Sequence, residues 1–137
     1  MSETTFALDP RLQNDTRRAA SLELCDVLLM NDARFPWLVL VPRKPGMVEI
    51  CDLTPDDQAL LWQEVTRASH ALRSIEPFDK LNLGALGNMV RQLHVHVVGR
   101  REGDAAWPGP VWGSGAAVPY GDEVLASMLR TVHAAIA

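Results

Sequence analysis

The sequence predicts an α+β fold: a mostly antiparallel, five-stranded sheet with one long central helix and a C-terminal helix. Three observations carry this. Polar and aliphatic side chains alternate through "MVRQLHVHVVGR" (89–100), as they do when successive side chains point to opposite faces of a strand. Between residues 54 and 75, apolar side chains recur instead at three- and four-residue steps, the spacing of a helix with one buried stripe. The elements follow the order strands, helix, hairpin, helix, with no linker or repeat, which argues for a single domain over 1–137 with helices packed on an antiparallel sheet.

Taken in order, residues 11–21 are polar and read as a loop or a short helical turn. "LELCDVLLM" (22–30) reads as a strand, and "WLVLVPR" (37–43) as a second one, aliphatic enough for the sheet centre. "NDARFP" (31–36) between them carries turn residues. Pro42 and Pro45 stop the second strand, "KPG" turns the chain, and "MVEICDL" (47–53) reads as a short extended piece. Thr54 suits the N-cap of the long helix, Pro55 its first position, and Asp56 and Asp57 the positive end of its dipole. Leu61, Val65, Ala68, Leu72 and Ile75 form the core stripe, and Pro77 ends the helix. "KLNLGALGN" (80–88) reads as a strand running into a glycine loop, with a hairpin partner over 90–98. Residues 99–119, rich in Gly, Pro and Trp, read as irregular, and "GDEVLASMLRTVHAAIA" as a closing amphipathic helix.

Composition narrows the function. With 13 Lys+Arg against 17 Asp+Glu, a formal net charge of −4 and no basic run, a nucleic-acid backbone is not an expected partner. No segment approaches the length of a membrane span. "MSETTFALDP" lacks the charged-then-apolar pattern of a signal peptide, so a cytoplasmic protein without a membrane partner is expected. Cys25 and Cys51 form no metal or redox motif and are expected as small buried hydrophobes.

The chemistry lies in the polar row Gln92, His94, His96. As a plain structural feature it is a solvated strand face. As a metal site it offers two imidazoles to zinc but lacks a third ligand, since His70 and His133 stand isolated in helices; no metal is expected. As a catalytic face it suits attack on phosphorus. A neutral imidazole whose other nitrogen is held by an acceptor is a competent nucleophile. A second imidazole on the same face can hydrogen-bond phosphate oxygens, and glycine-rich backbone such as "NLGALGN", from Asn82 to Asn88, can offer N–H groups to phosphates.

"QLHVHVVGR" resembles the histidine triad (HIT) motif, His-φ-His-φ-His-φ-φ with φ aliphatic, followed by Gly or Pro and then Arg. "LLMNDARFPWLVLVPR" resembles the HIT strand, ribose-binding turn and second strand, so the likeness covers roughly residues 22–100 in order and spacing. The resemblance implies a HIT-like fold. It implies that His94 attacks the α-phosphorus of a nucleotide, that His96 contacts the phosphate, that Asn31 or Asp32 meets the ribose hydroxyls, and that Asn88 contacts phosphate. Leu28, Leu38 and Leu40 could line the base pocket or fill the core, and for aliphatic strand residues the core is the expectation. The chain also departs from the pattern. Gln92 stands at the first histidine's place, where its amide can orient a neighbour but cannot exchange a proton near neutral pH. Met89 replaces a frequent Ser or Thr, and Trp37 a frequent histidine.

The implied activity is that of a nucleotide hydrolase, or a nucleotidyl transferase, acting at the α-phosphate of purine nucleoside phosphate derivatives through a nucleotidyl-histidine. The substrate is a dinucleoside polyphosphate or a nucleoside phosphoramidate, and no cofactor is required. The alternative, kept open by Gln92, is a nucleotide-binding protein without turnover. The family resemblance, the exposed edge expected of "KLNLGAL" and the consecutive Leu60, Leu61 and Trp62 together predict a homodimer.

Overall fold

The most aliphatic segment lies where that composition is needed, at the middle of a sheet. In the computed structural model, which describes residues 5–137, β3 (Trp37–Pro42) is the central strand and is buried along its whole length. Met1 to Thr4, on which the start of the leader reading rests, lie outside the described residues. The other elements are α1 (Pro10–Asp15), β1 (Thr16–Ser21), β2 (Cys25–Met30), α2 (Pro55–Ile75), β4 (Lys80–Gly84), β5 (Val95–Arg100) and α3 (Asp122–Ile136). The five strands run in the order β1-β2-β3-β5-β4, every neighbouring pair antiparallel.

The sheet has two unequal sides. On one, Val27 and Leu29 of β2, Leu38 and Leu40 of β3 and Val95 and Val97 of β5 pack under α2 and α3. On the other, Leu28, Trp37, Val39, Val41 and Val98 meet Leu12, Phe35 and Val111 from the N-terminal segment and the loop after β5. α2 is built as its sequence predicts. The Thr54 hydroxyl accepts from the Asp57 N–H, Pro55 opens the helix, and Leu61, Val65, Ala68 and Leu72 are buried. Ile75 packs at the edge of the same cluster.

Four expectations are corrected. The first part of residues 11–21 is the short helical turn expected, as α1, but Thr16–Ser21 form an edge strand where none was expected. A β-bulge at Ala19 turns both Ala19 and Ala20 toward the core, and Arg17 and Arg18 face solvent, so the strand shows no clean alternation. Residues 47–53 are not extended: Asp52 accepts from the backbone N–H groups of Val48 and Glu49 and winds Ile50–Asp52 into a 3₁₀ turn. The hairpin strands are shorter than predicted, leaving a ten-residue connection between Gly84 and Val95. Cys51 is exposed; Cys25 alone is the buried thiol, pushed far up from its ordinary pKa by burial and by the neighbouring Glu64 carboxylate.

Glu64 is itself buried on α2, and its two oxygens accept from the Leu24 and Cys25 N–H groups at 2.9 and 2.8 Å, fixing the β1–β2 turn to the helix. Gly99, in β5, admits no side chain: a Cβ there would sit 2.6 Å from the Phe78 ring and 2.9 Å from Pro36.

Candidate active site

β5 sets the sidedness of the histidines. Val95 and Val97 point to the helices, so His96 points to the opposite side, beside Trp37 of the adjoining β3. His94 precedes the strand but keeps the alternation: Leu93 joins the core and His94 turns to the same cavity as His96. That cavity, about 580 Å³, is walled by Trp37, by the turn after β2, by the connection around Gly87 to Val90, and by Val111 to Pro119.

Hydrogen bonds fix both rings. His94 Nδ1 lies 2.6 Å from the Gln92 carbonyl, which only accepts, so Nδ1 carries the proton and Nε2 keeps a lone pair. His96 Nδ1 accepts from the Trp37 indole N–H at 3.0 Å, so its proton is on Nε2. The two rings meet edge to face, with centroids 4.9 Å apart. Burial, and then the electrostatic influence of the neighbouring His94 ring, pull the His96 pKa down to about 3, so His96 is neutral at physiological pH. The cavity therefore presents one imidazole lone pair and one imidazole N–H.

Asn31, Asp32 and Asn88 line the same cavity. Asn31 Oδ1 accepts from the Tyr120 N–H at 2.9 Å. Asp32 is almost fully buried and is bound by Arg34 through N–H, Nε and Nη2 and by the Val118 N–H. Burial pushes its carboxyl up, but these donors outweigh burial and hold it below the usual carboxylate range. Asn82 does not reach the cavity: on β4 it accepts from Arg100 Nη1 at 2.9 Å.

Gln92 takes part through its backbone. Its amide Nε2 donates to the Ala7 carbonyl at 2.8 Å and its Oε1 accepts from the Asp9 N–H at 2.9 Å. The side chain thus ties the N-terminal segment to the residue whose carbonyl orients His94, and it borders a smaller cleft of about 220 Å³ on the other side of His94, with Glu49 and Arg91. Gln92→Ala should lose about 1 kcal/mol per bond, measured by denaturant unfolding.

Sequence reasoning missed Asn14, Asp15, Arg34 and Trp112, which also line the cavity. Their approach depends on α1 and on the irregular 101–120 loop, neither of which carries a local signal of where it docks. Among the described residues no three His, Cys, Asp or Glu side chains gather to hold a metal. His70 is exposed, and His133 bonds to the Ala19 carbonyl at 2.9 Å.

A model of the HIT domain family matches residues 11–103. The chain is similar in structure to a histidine triad (HIT) protein from Sinorhizobium meliloti 1021, with 48% identity over 93% of this chain and 95% of that one and a TM-score of 0.91. It is also similar to a histidine triad protein from Bradyrhizobium japonicum, with 45% identity over 98% of this chain and 100% of that one and a TM-score of 0.94. A third, from Marinobacter aquaeolei VT8, has 44% identity over 97% of each chain and a TM-score of 0.94. No curated protein matches.

Proposed function

The chain belongs to the HIT family, and on that premise we propose that it hydrolyses nucleotide conjugates at the α-phosphate through a nucleotidyl-His94 intermediate. The substrate class is a purine nucleoside phosphate derivative, either a dinucleoside polyphosphate or a nucleoside phosphoramidate. The observation that carries this reading is the pair of opposed tautomers at one cavity: a lone pair on His94 Nε2 and an N–H on His96 Nε2.

In the proposed first step the His94 Nε2 lone pair forms a bond to phosphorus. The bond from phosphorus to the leaving group breaks, and its electron pair departs with that group. The Nδ1 proton stays on His94, where the Gln92 carbonyl stabilises the positive ring. His96 Nε2–H supports the charge building on a phosphate oxygen. Water then attacks phosphorus, the N–P bond returns its pair to Nε2, and the water proton passes to solvent. Asn31 lies where it can meet the sugar, whereas Asp32, occupied by Arg34, acts by holding the turn in place.

The test is single-turnover trapping. Rapid alkaline quench of the protein with a labelled nucleotide conjugate should give one nucleotide bound per chain through a base-stable phosphoramidate that acid then releases. A second reading, nucleotide binding without turnover, is favoured by one observation: the Gln92 amide is bonded to Ala7 and Asp9 and does not line the cavity that holds His94 and His96. Binding with no adduct and no product would establish that reading instead.

We also propose a cytoplasmic homodimer. Among the described residues, no helix is long and apolar enough to cross a membrane. Trp62 on α2 is 49% exposed, and Leu83 and Leu86, on and just after edge strand β4, are 42% and 44% exposed. Sedimentation equilibrium at micromolar concentration should give twice the chain mass, and Trp62→Glu should shift the distribution toward monomer.

A further inference from the structure

We propose that Trp37 is a positioning residue that holds His96 as a neutral Nε2–H donor, and that the site is thereby limited to leaving groups that depart as weakly basic anions. This rests on the reading of His94 as the nucleophile.

The geometry begins with an indole, which can only donate. Trp37 Nε1–H meets His96 Nδ1 at 3.0 Å, and both residues are buried, at 7% and 6% exposure. A second proton on His96 would place two N–H groups face to face at a largely buried contact. The bond would be lost and a buried donor orphaned. Neighbouring rings hold the pair: Phe35 packs edge-on against Trp37, with centroids 6.3 Å apart, and Trp112 packs against His96 at 5.5 Å. The low pKa of His96 agrees with this arrangement.

The consequence is chemical. A neutral imidazole can donate a hydrogen bond to developing negative charge, but giving up its only N–H proton would require an imidazolate. The other titratable or charged groups on the cavity do not replace it. His94 spends Nε2 on phosphorus and Nδ1–H on the Gln92 carbonyl. Asp32 is locked to Arg34, and Asp15 is an exposed residue of α1. Across the smaller cleft, Glu49 and Arg91 are exposed, and the Gln92 amide has no acidic proton. As the N–P bond forms, the leaving atom therefore takes its electron pair without receiving a proton from the protein. Phosphate-type and nitrophenolate leaving groups depart in this way. An alkylamine does not, because its nitrogen must first be protonated from water.

The experiment has two arms. In the first, nitrogen NMR of ¹⁵N-histidine-labelled protein follows His96 from about pH 5 to 8, the range in which an ordinary histidine titrates. His96 should stay neutral with its proton on Nε2 in the wild type, and its pKa should move up toward that range in Trp37→Phe, which loses the hydrogen bond that favours the neutral ring. In the second arm, one nucleoside 5′-phosphate carries a pyrophosphate, 4-nitrophenolate or alkylamine leaving group. Wild-type kcat/KM should be lower for the amine by about 10²–10⁴-fold, the value of lost proton donation. Trp37→Phe should narrow that gap at the acid end. Wild-type His96 titrating near its ordinary value, or equal rates for amine and pyrophosphate, overturns the proposal. If Trp37→Phe does not fold, the wild-type titration and the wild-type rate ratio still decide. Absence of turnover on every conjugate overturns the hydrolase reading and the leaving-group rule together, while the NMR arm separately decides the role of Trp37.

Discussion

On the covalent reading, His94→Ala should lower kcat by about 10³-fold or more and abolish the protein-bound nucleotide adduct, since removing the nucleophile closes that route. The fold should be retained. The His94 ring makes its hydrogen bond to a backbone carbonyl, and its other contacts are with His96 and the cavity. Unfolding free energy should therefore change by no more than about 1 kcal/mol, the usual range for a site without a buried network. Nucleotide affinity should fall little, because the remaining cavity walls are untouched. Intact-protein mass spectrometry after rapid quench, beside steady-state kinetics, reads both effects. A mutant with wild-type turnover would exclude the covalent mechanism.

The largest effect on stability is expected at Arg100. Its side chain is 2% exposed and forks onto the 5% exposed Asp104, with Nε to Oδ2 at 2.8 Å and Nη2 to Oδ1 at 2.9 Å. The guanidinium lies 5.5 Å from the Phe35 ring centroid and 5.7 Å from that of Trp107. Asp104 in turn accepts from the N–H groups of Arg101, Ala106 and Trp107, so it shapes the turn after β5. Arg100→Met would leave a buried carboxylate without its cation, at a cost of about 3–5 kcal/mol. That is a large fraction of the 5–15 kcal/mol, in rough figures, that holds a domain folded. Arg100→Lys should recover little, since an ammonium cannot fork.

The same pair predicts an acid dependence. Hydrogen bonding to Arg100 holds the Asp104 carboxyl well below the usual carboxylate range, against the opposing effect of burial. The folded chain therefore binds this proton less readily than the unfolded chain. The pair's stabilisation is fully present above the ordinary aspartate pKa of about 4 and is lost as pH falls below it. Urea midpoints measured from about pH 7 down to pH 3 should drop more steeply for the wild type than for Arg100→Met. Equal slopes would show that the pair does not govern the acid limb.

Much of the fold was legible because local chemistry and global packing agree at those positions. Thr54, Pro55 and the Leu61–Val65–Ala68–Leu72 stripe specify α2 by capping and periodicity alone. Val95 and Val97 against His96 gave the sidedness of β5. β1 was illegible because its bulge breaks the two-residue period and its arginines suit an edge rather than a core. In the candidate site, His94, His96, Asn31, Asp32 and Asn88 were read from the sequence and do border one cavity. Asn82 and the Gln92 amide were misjudged for a common reason. Each is claimed by a partner remote in sequence, Arg100 in one case and the Ala7–Asp9 backbone in the other, and an amide carries no mark of which partner will claim it.

The attachment of the 113–120 segment to the turn after β2 bears on the order of folding. Ser114, Val118 and Tyr120 are bonded to Arg34, Ala33, Asp32 and Asn31, partners more than 70 positions earlier in the chain. Contacts of such separation require a large loop to close and tend to form after local ones. The wall that these bonds fix beside His94 and His96 therefore closes late in folding, after the antiparallel neighbours of the sheet have paired. A ligand of this cavity therefore binds the finished domain and does not scaffold its early folding.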